Sequence, residues 1–207
     1  MKQQTRGLAL GAIVSLVVIL SVTLSPKVQA EQGDILFRAG AHSVMPKSDN
    51  HDIVEVEDAT MLTFNLTYFF TSHFAVEVLA ALPFEHDVEL VSGGTAARVK
   101  HLPPTVSAQY HFNPAAKIRP YVGVGLNVTE FFEEDTTGPL AGAELKLDTS
   151  IGAALQLGVD IDLSEQIFLN AEVRYIGIET DAHLNGARLG TIEIDPWAIG
   201  INLGFQF

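Results

Sequence analysis

The sequence predicts an all-β fold, an eight-stranded antiparallel up-and-down transmembrane β-barrel. Three observations carry that expectation. The closing stretch alternates with period two. Trp197, Ile199, Ile201, Leu203, Phe205 and Phe207 share one face, and Ala198, Gly200, Asn202, Gly204 and Gln206 share the other. The apolar face suits lipid, and the small, uncharged face suits a narrow lumen. Seven earlier segments repeat this alternation, and the connections among the eight run long, short, long, short, long, short, long. The chain also lacks cysteine, so an exported fold of this kind is held by its architecture and not by disulfides.

The N-terminus reads as a leader. Lys2 and Arg6 precede an apolar run of 17 residues from Leu8 to Leu24, and Val28-Gln29-Ala30 places small residues at −3 and −1. This is the pattern of a secretory signal peptide over residues 1–30, cut after Ala30. A single membrane anchor is the alternative, but the run is at the short end for spanning and the cleavage-like tail follows directly. Residues 31–207 then form one domain, the barrel. Without the leader, nine Lys and Arg stand against 25 Asp and Glu, a formal charge of −16. That balance argues against nucleic acid as a partner. The mature part has no apolar run of the roughly 18 residues that a spanning helix needs. If it crosses a membrane, it crosses as strands.

Taken in order, strand one covers about Asp34–Ser43, with Ile35, Phe37, Ala39 and Ala41 on one face and Leu36, Arg38, Gly40 and His42 on the other. An acidic loop from Val44 to Asp58 follows. Strand two, Ala59–Phe70, sets Leu62, Phe64, Leu66, Tyr68 and Phe70 outward and Thr63, Asn65 and Thr67 inward. After the tight turn Thr71-Ser72-His73, strand three runs Phe74–Phe84 with Val76, Val78 and Leu82 outward and Glu77 and Leu79 inward. Residues 85–99 read as a loop around Gly93-Gly94. Strand four, Lys100–Phe112, faces Thr105, Ser107, Gln109 and His111 inward.

The turn at 113–117 leads into strand five, Ile118–Phe132, with Val122, Val124, Leu126 and Val128 outward and Tyr121, Gly123, Gly125, Asn127 and Thr129 inward. An acidic loop spans 133–146. Strand six, Leu147–Ile161, turns Ile151, Leu155 and Leu157 outward and Ser150, Gly152, Ala154, Gln156 and Gly158 inward. A short turn at 162–165 opens strand seven, Gln166–Thr180, with Leu169, Val173 and Tyr175 outward and Asn170, Glu172 and Arg174 inward. Residues 181–190 are the last loop before strand eight.

Three tight turns on one side and four longer loops on the other give the outer-membrane barrel plan, with both termini at the periplasmic side. Tyr68, Phe69, Phe70, Phe74, Tyr110, Phe112, Phe205 and Phe207 cluster beside the short turns, as an interfacial girdle would. A soluble lipocalin-type barrel would put its apolar face inside and Lys and Glu outside. Here the non-apolar face is rich in Gly, Ser, Thr, Asn and Gln, which fits a cramped interior.

Several stretches carry a family resemblance. These are Glu77-Val78-Leu79-Ala80-Ala81-Leu82-Pro83-Phe84, His101-Leu102-Pro103-Pro104-Thr105, Gln109-Tyr110-His111-Phe112, Arg119-Pro120-Tyr121-Val122-Gly123-Val124-Gly125-Leu126-Asn127, Phe131-Phe132, Gly158-Val159-Asp160 and Asp195-Pro196-Trp197. Across essentially the whole mature chain the sequence resembles the OmpW family of small outer-membrane proteins. The resemblance implies location in the cell outer membrane, contact with its lipid, and a narrow, partly hydrophobic lumen. It also implies passage of small hydrophobic compounds, and service as a receptor for phage or bacteriocin. It puts Leu79 and Arg174 in the lumen lining. Relatives can carry a bulky aromatic near Arg174, where this chain has a charge, so a hydrophobic constriction at that height is not expected.

Two constellations of residues stand out physically. Pro83, Pro103 and Pro104 gather at the outer end of the seam between strands three and four. Proline donates no ladder hydrogen bond. Either the strands separate there and leave a lateral gap, or the loop begins early with prolines protecting its edges. The residues leave both open, and the resemblance favours the gap. Arg38, Glu77, Glu172 and Arg174 form the second group, pointing inward with two charges of each sign. They are expected to pair across the lumen and to plug it, and Tyr121 is a further lumen-lining candidate.

No catalytic constellation, metal set or cofactor motif emerges. His111 and Ser107 lie ~13 Å apart along one strand, too far for a direct hydrogen bond. His42, His51, His73, His86 and His183 read as scattered over loops and turns without ligand spacing. The sequons at Asn65 and Asn127 fall inside strands. Phe205 and Phe207 resemble the terminal signal read by the barrel-assembly machinery. The expected function is a narrow passive pathway for small hydrophobic molecules with lateral release near Pro83, Pro103 and Pro104. The alternative is a structural or adhesion barrel whose loops bind partners.

Overall fold

The computed structural model describes residues 30–47 and 54–207. The proposed leader, apart from Ala30, and residues 48–53, which include His51, lie outside the described residues. Eight strands build the wall: β1 (Ile35–Met45), β3 (Ala59–Phe69), β4 (Phe74–Ala81), β7 (Thr105–His111), β8 (Ile118–Thr136), β10 (Ser150–Asp162), β11 (Ile167–Ile176) and β14 (Trp197–Gln206). Six shorter strands rise from the long-loop side: β2 (Val54–Val56), β5 (Phe84–Leu90), β6 (Thr95–Leu102), β9 (Leu145–Leu147), β12 (Glu179–Leu184) and β13 (Ala187–Glu193). Each wall strand pairs antiparallel with the next, and β14 pairs with β1 to close the barrel. Closure leaves no unpaired edge in the wall, which is what lipid requires of strands.

The facing of side chains follows the alternation. Leu126, Ile151 and Ile201 stand 66%, 74% and 63% exposed on the outer surface, while Arg38, Glu77 and Asn127 are fully buried inside. An apolar band of this extent is a lipid-facing surface. It is bounded on the short-turn side by Tyr68, Phe70, Phe74, Tyr110 and Phe112, several in edge-to-face contact, and on the other by Tyr175 against Trp197 at 5.4 Å. Phe69 does not belong to that girdle. It shares the inward parity of Thr67, is fully buried, and packs 4.7 Å from the His111 ring.

The long loops are more structured than expected. The stretch 85–99 is a β5–β6 hairpin turning at Gly93-Gly94, with β2 on one flank and the upper end of β8 on the other. Parts of 133–146 and 181–190 form a separate three-stranded sheet, β13-β12-β9. The expected strand four is two strands, because Pro103-Pro104 interrupts the ladder between β6 and β7. Strand three likewise stops at Ala81 and resumes as β5 after Pro83. On the outer surface of this rim, charge replaces hydrocarbon: Arg98 pairs with Glu85 and Asp87 at 3.0 Å, and Lys100 pairs with Glu133. The rim therefore stands outside the membrane-spanning band.

Candidate functional site

The lumen is stacked in layers fixed by strand register. Across β10 and β11 the facing pairs run Asp162/Phe168, Asp160/Asn170, Gly158/Glu172, Gln156/Arg174 and Ala154/Ile176 from the short-turn side toward the loops. The middle layers are ionic. The Arg38 guanidinium donates from Nε and Nη2 to Asp160 at 3.2 and 2.9 Å, and from Nη1 to Glu77 at 3.0 Å and Thr67 at 2.8 Å. Arg174 Nη2 donates to Glu77 at 2.6 Å and to Glu172 at 2.8 Å. Glu172 also accepts from Tyr121 at 3.1 Å and from His42 Nε2 at 2.7 Å. Glycine makes the room. A methyl group at Gly200 would overlap the His42 ring, and one at Gly158 would overlap the Tyr121 ring.

So Arg38, Glu77, Tyr121, Glu172 and Arg174 meet in one network. The count of two charges of each sign is corrected. Asp160 is a third carboxylate, following Gly158 at the same parity and chelating Arg38, and the buried Arg119–Asp162 pair nearer the short turns brings the inward set to three cations and four carboxylates. His42, on the inner face of β1 as the alternation of strand one sets it, belongs to the same network. It holds Glu172 on one nitrogen and Thr63 on the other at 2.6 Å. Leu79, also inward and buried, lies one layer loopward of Glu77.

Above the ions the lumen turns apolar. Ala154, Ile176, Ile178, Ala182, Ile194, Val99, Phe131 and Leu147 form one buried cluster, floored by the Ala154/Ile176 layer. Two cavities open in it. The outer is lined by residues including Leu140, Leu145 and Leu189, the inner by residues including His86, His101 and Phe131. Val88, Val99, Leu147 and Ile192 border both. His86 was expected in a loop, but it sits on β5 with its ring 4.9 Å from His101 and nearly parallel to it. Phe84 continues the stack at 5.4 Å from His101. Burial holds both imidazoles below their usual range, His101 down to about 3.

The prolines lie directly beneath this stack. The last rung between β4 and β7 is Leu79–Thr105, and the first between β5 and β6 is Phe84–His101. Between them, Ala80 to Pro83 and Leu102 to Pro104 have no ladder partner across the seam. Pro103 is buried toward the lumen, while Leu82, Pro83 and Pro104 are exposed on the outer surface. The Pro103 and Pro104 carbonyls turn to β8, where Asn127 Nδ2 donates to them at 3.1 and 3.3 Å and the Val128 amide donates to Pro104 at 3.0 Å. Asn127, read in the sequence only as an inward residue and a sequon, thus satisfies what the prolines leave open. Phe205 pairs with Phe37 and Ile167 in the closing strand, and Phe207 exchanges backbone hydrogen bonds with Ile35.

A family model described as "OmpW family" matches residues 31–207. The chain belongs to the OmpW family. It is 40% identical to outer membrane protein W of Vibrio cholerae, covering 94% of this chain and 98% of that one. The crystal structure of the outer membrane protein OprG from Pseudomonas aeruginosa superimposes with a TM-score of 0.75 at 31% identity, over 88% of this chain and 98% of that one. Outer membrane protein AlkL in lipid bilayers gives 0.67 at 26%, over 91% and 97%. As an OmpW family member, the protein is an eight-stranded barrel of the outer membrane.

Proposed function

We propose that the protein is a passive pathway for small hydrophobic molecules, which enter the vestibule from the loop side and leave sideways into the bilayer between Pro83 and Pro103-Pro104. One observation carries the reading. The apolar vestibule ends on a fully buried ion network, and the ladder is broken in the wall just beside that dead end. An apolar molecule gains nothing by displacing paired guanidiniums and carboxylates, each costly to strip of partners. The seam offers it a wall of Leu79, Phe84, Pro103 and Leu82, followed by lipid. The family resemblance points the same way.

Uptake of a labelled alkane or fatty-acid analogue tests this. Cells carrying the wild-type barrel, no barrel, or a barrel with Pro83→Val, Pro103→Val and Pro104→Thr are compared at equal folded amount. Faster uptake with wild type, lost in the proline variant, is the expected result. Equal uptake in all three sinks the pathway and leaves a structural or adhesion barrel.

A further inference from the structure

The vestibule walls are apolar except at the inner end, where His86, His101 and Thr180 line the cavity. His86 is 4% exposed, lines the inner cavity, and its Nε2 has no hydrogen-bond partner among the described residues. The tautomer follows from the other nitrogen. Nδ1 faces the backbone carbonyl of Glu57, which can only accept, so Nδ1 carries the hydrogen and donates it. In the neutral ring Nε2 is then a bare lone pair, an acceptor without a donor. Buried unsatisfied acceptors are rare and costly. Of the other polar residues in the lining, Thr180 has already given its hydroxyl hydrogen to the Asp148 carbonyl at 2.6 Å, and the His101 ring is stacked nearly parallel to that of His86, so its in-plane N–H does not point at Nε2. Asp58 lies near enough to favour a charged His86, but burial outweighs it and keeps the ring neutral.

Resting on the pathway reading above, we propose that the inner cavity selects ligands with an apolar body and one terminal hydrogen-bond donor, an alcohol whose hydroxyl donates to Nε2 of His86. The chain of such a molecule lies along Val88, Val99, Leu147 and Ile192 toward the outer cavity. Its hydroxyl reaches the His86–His101 stack, at the Phe84–His101 rung immediately above the seam. A molecule of equal size that only accepts, such as an ether or an ester, would leave Nε2 of His86 without a donor. The site thus sorts apolar molecules by the polarity of one end before they reach the gap.

The test uses the full barrel in lipid nanodiscs and three probes of equal heavy-atom count: 1-hexanol, its isomer methyl pentyl ether, and n-heptane. NMR titration of the Val88, Val99 and Ile192 methyl groups gives a Kd for each probe. 1-Hexanol is expected to bind about tenfold tighter than the ether, the span of one hydrogen bond made against one refused. The imidazole Nε2 resonance of His86 should move with the alcohol and not with the ether. In His86→Phe, which keeps a ring in the stack, the two isomers should bind alike. Equal affinities in the wild type, or a preference that persists in His86→Phe, would overturn the alcohol site while leaving the vestibule as the way in. If no probe moves the methyl groups, the vestibule itself fails as a binding space, and the alcohol site fails with it. The wild-type comparison decides the matter even if His86→Phe does not fold.

Discussion

Arg38 on β1 and Asp160 on β10 are joined by two parallel hydrogen bonds, 3.2 and 2.9 Å, across a lumen in which β14 and β11 separate their strands. The pair ties opposite parts of the wall together, and neither side chain has any exposure. Asp160 also accepts from Asn170 Nδ2 at 2.8 Å, so its carboxylate is fully engaged. Removing Asp160 strips the Nε and Nη2 side of a buried guanidinium that Glu77 then holds only at Nη1. Asp160→Ala is expected to cost about 3 kcal/mol. Adding Arg38→Met should recover part of that loss, because the half-stripped guanidinium is then gone and Glu77 keeps Arg174 as its partner. Urea unfolding in vesicles, followed by the fluorescence of Trp197, the one tryptophan, measures both. Additive losses in the double variant would contradict the pairing.

The cramped lumen makes a second, steric prediction. Gly200 lies against the His42 ring, which holds Glu172 on the network. Gly200→Val should destabilise the barrel by about 1–3 kcal/mol through overpacking. It should also shift the His42 ring resonances as the imidazole is pushed from Glu172. Ile199→Val, one residue away on the lipid face, should leave both unchanged. Equal effects at the two positions would show that the interior has room to spare.

The rim makes a third prediction, about pH. His101 faces His86, Phe84 and Phe131, and Asp58 lies beside His86. An unfolded imidazole takes up a proton near 6.5, whereas folded His101 does so only at about 3. The folded hairpin therefore binds fewer protons than the opened one across that window. Its stability is full above pH 6.5 and declines as pH falls toward 3. Asp181, held at about 2 by Arg188 and Thr191 against 3.8 when unfolded, adds a decline of the same sign only in the acid end of that window, as pH approaches 4. Methyl NMR of Val88 and Val99 between pH 7 and 4 should show the hairpin loosening. The decline should flatten in the double variant His86→Phe and His101→Phe. The same decline in that variant would exclude the two histidines as its source.

The barrel and its lumen were legible in the sequence because a two-residue period, once one face is apolar, fixes the facing of every side chain. Arg38, Glu77, Tyr121, Glu172 and Arg174 needed only parity to be grouped. Asp160 has the same parity but sits at the end of its strand beside acidic Asp162, where it passes for turn chemistry. The β5–β6 hairpin was hidden differently. Phe84, His86 and Val88 alternate with Glu85, Asp87 and Glu89, so the segment reads as an acidic loop unless the alternation is followed through Gly93-Gly94 to Val99 and His101. Prolines on both sides of it also look like loop boundaries. Here they break a ladder that resumes beyond them. The His86–His101 stack depends on the register of that hairpin, which no spacing in the sequence reveals.

A fourth prediction concerns the chain end. Phe207 donates its amide to Ile35 at 2.9 Å and accepts from the Ile35 amide at 3.2 Å, while its ring is 76% exposed on the lipid side. Two contributions can thus be separated. Deleting Phe207 removes both the ring and the last closing hydrogen bonds between β14 and β1. Phe207→Ala removes only the ring. Two exposed-end hydrogen bonds contribute about 1 kcal/mol each at most, too little to prevent a closed barrel from standing. If the ring is instead read by the barrel-assembly machinery, both variants should lower the amount of folded, membrane-inserted protein in cells to a similar extent. Refolding of purified Phe207→Ala into vesicles should then match wild type. The readout is the heat-modifiable gel shift of membrane fractions, compared with the same shift after refolding in vitro. Normal insertion of Phe207→Ala in cells would remove the assembly role and leave the residue as the closing rung alone.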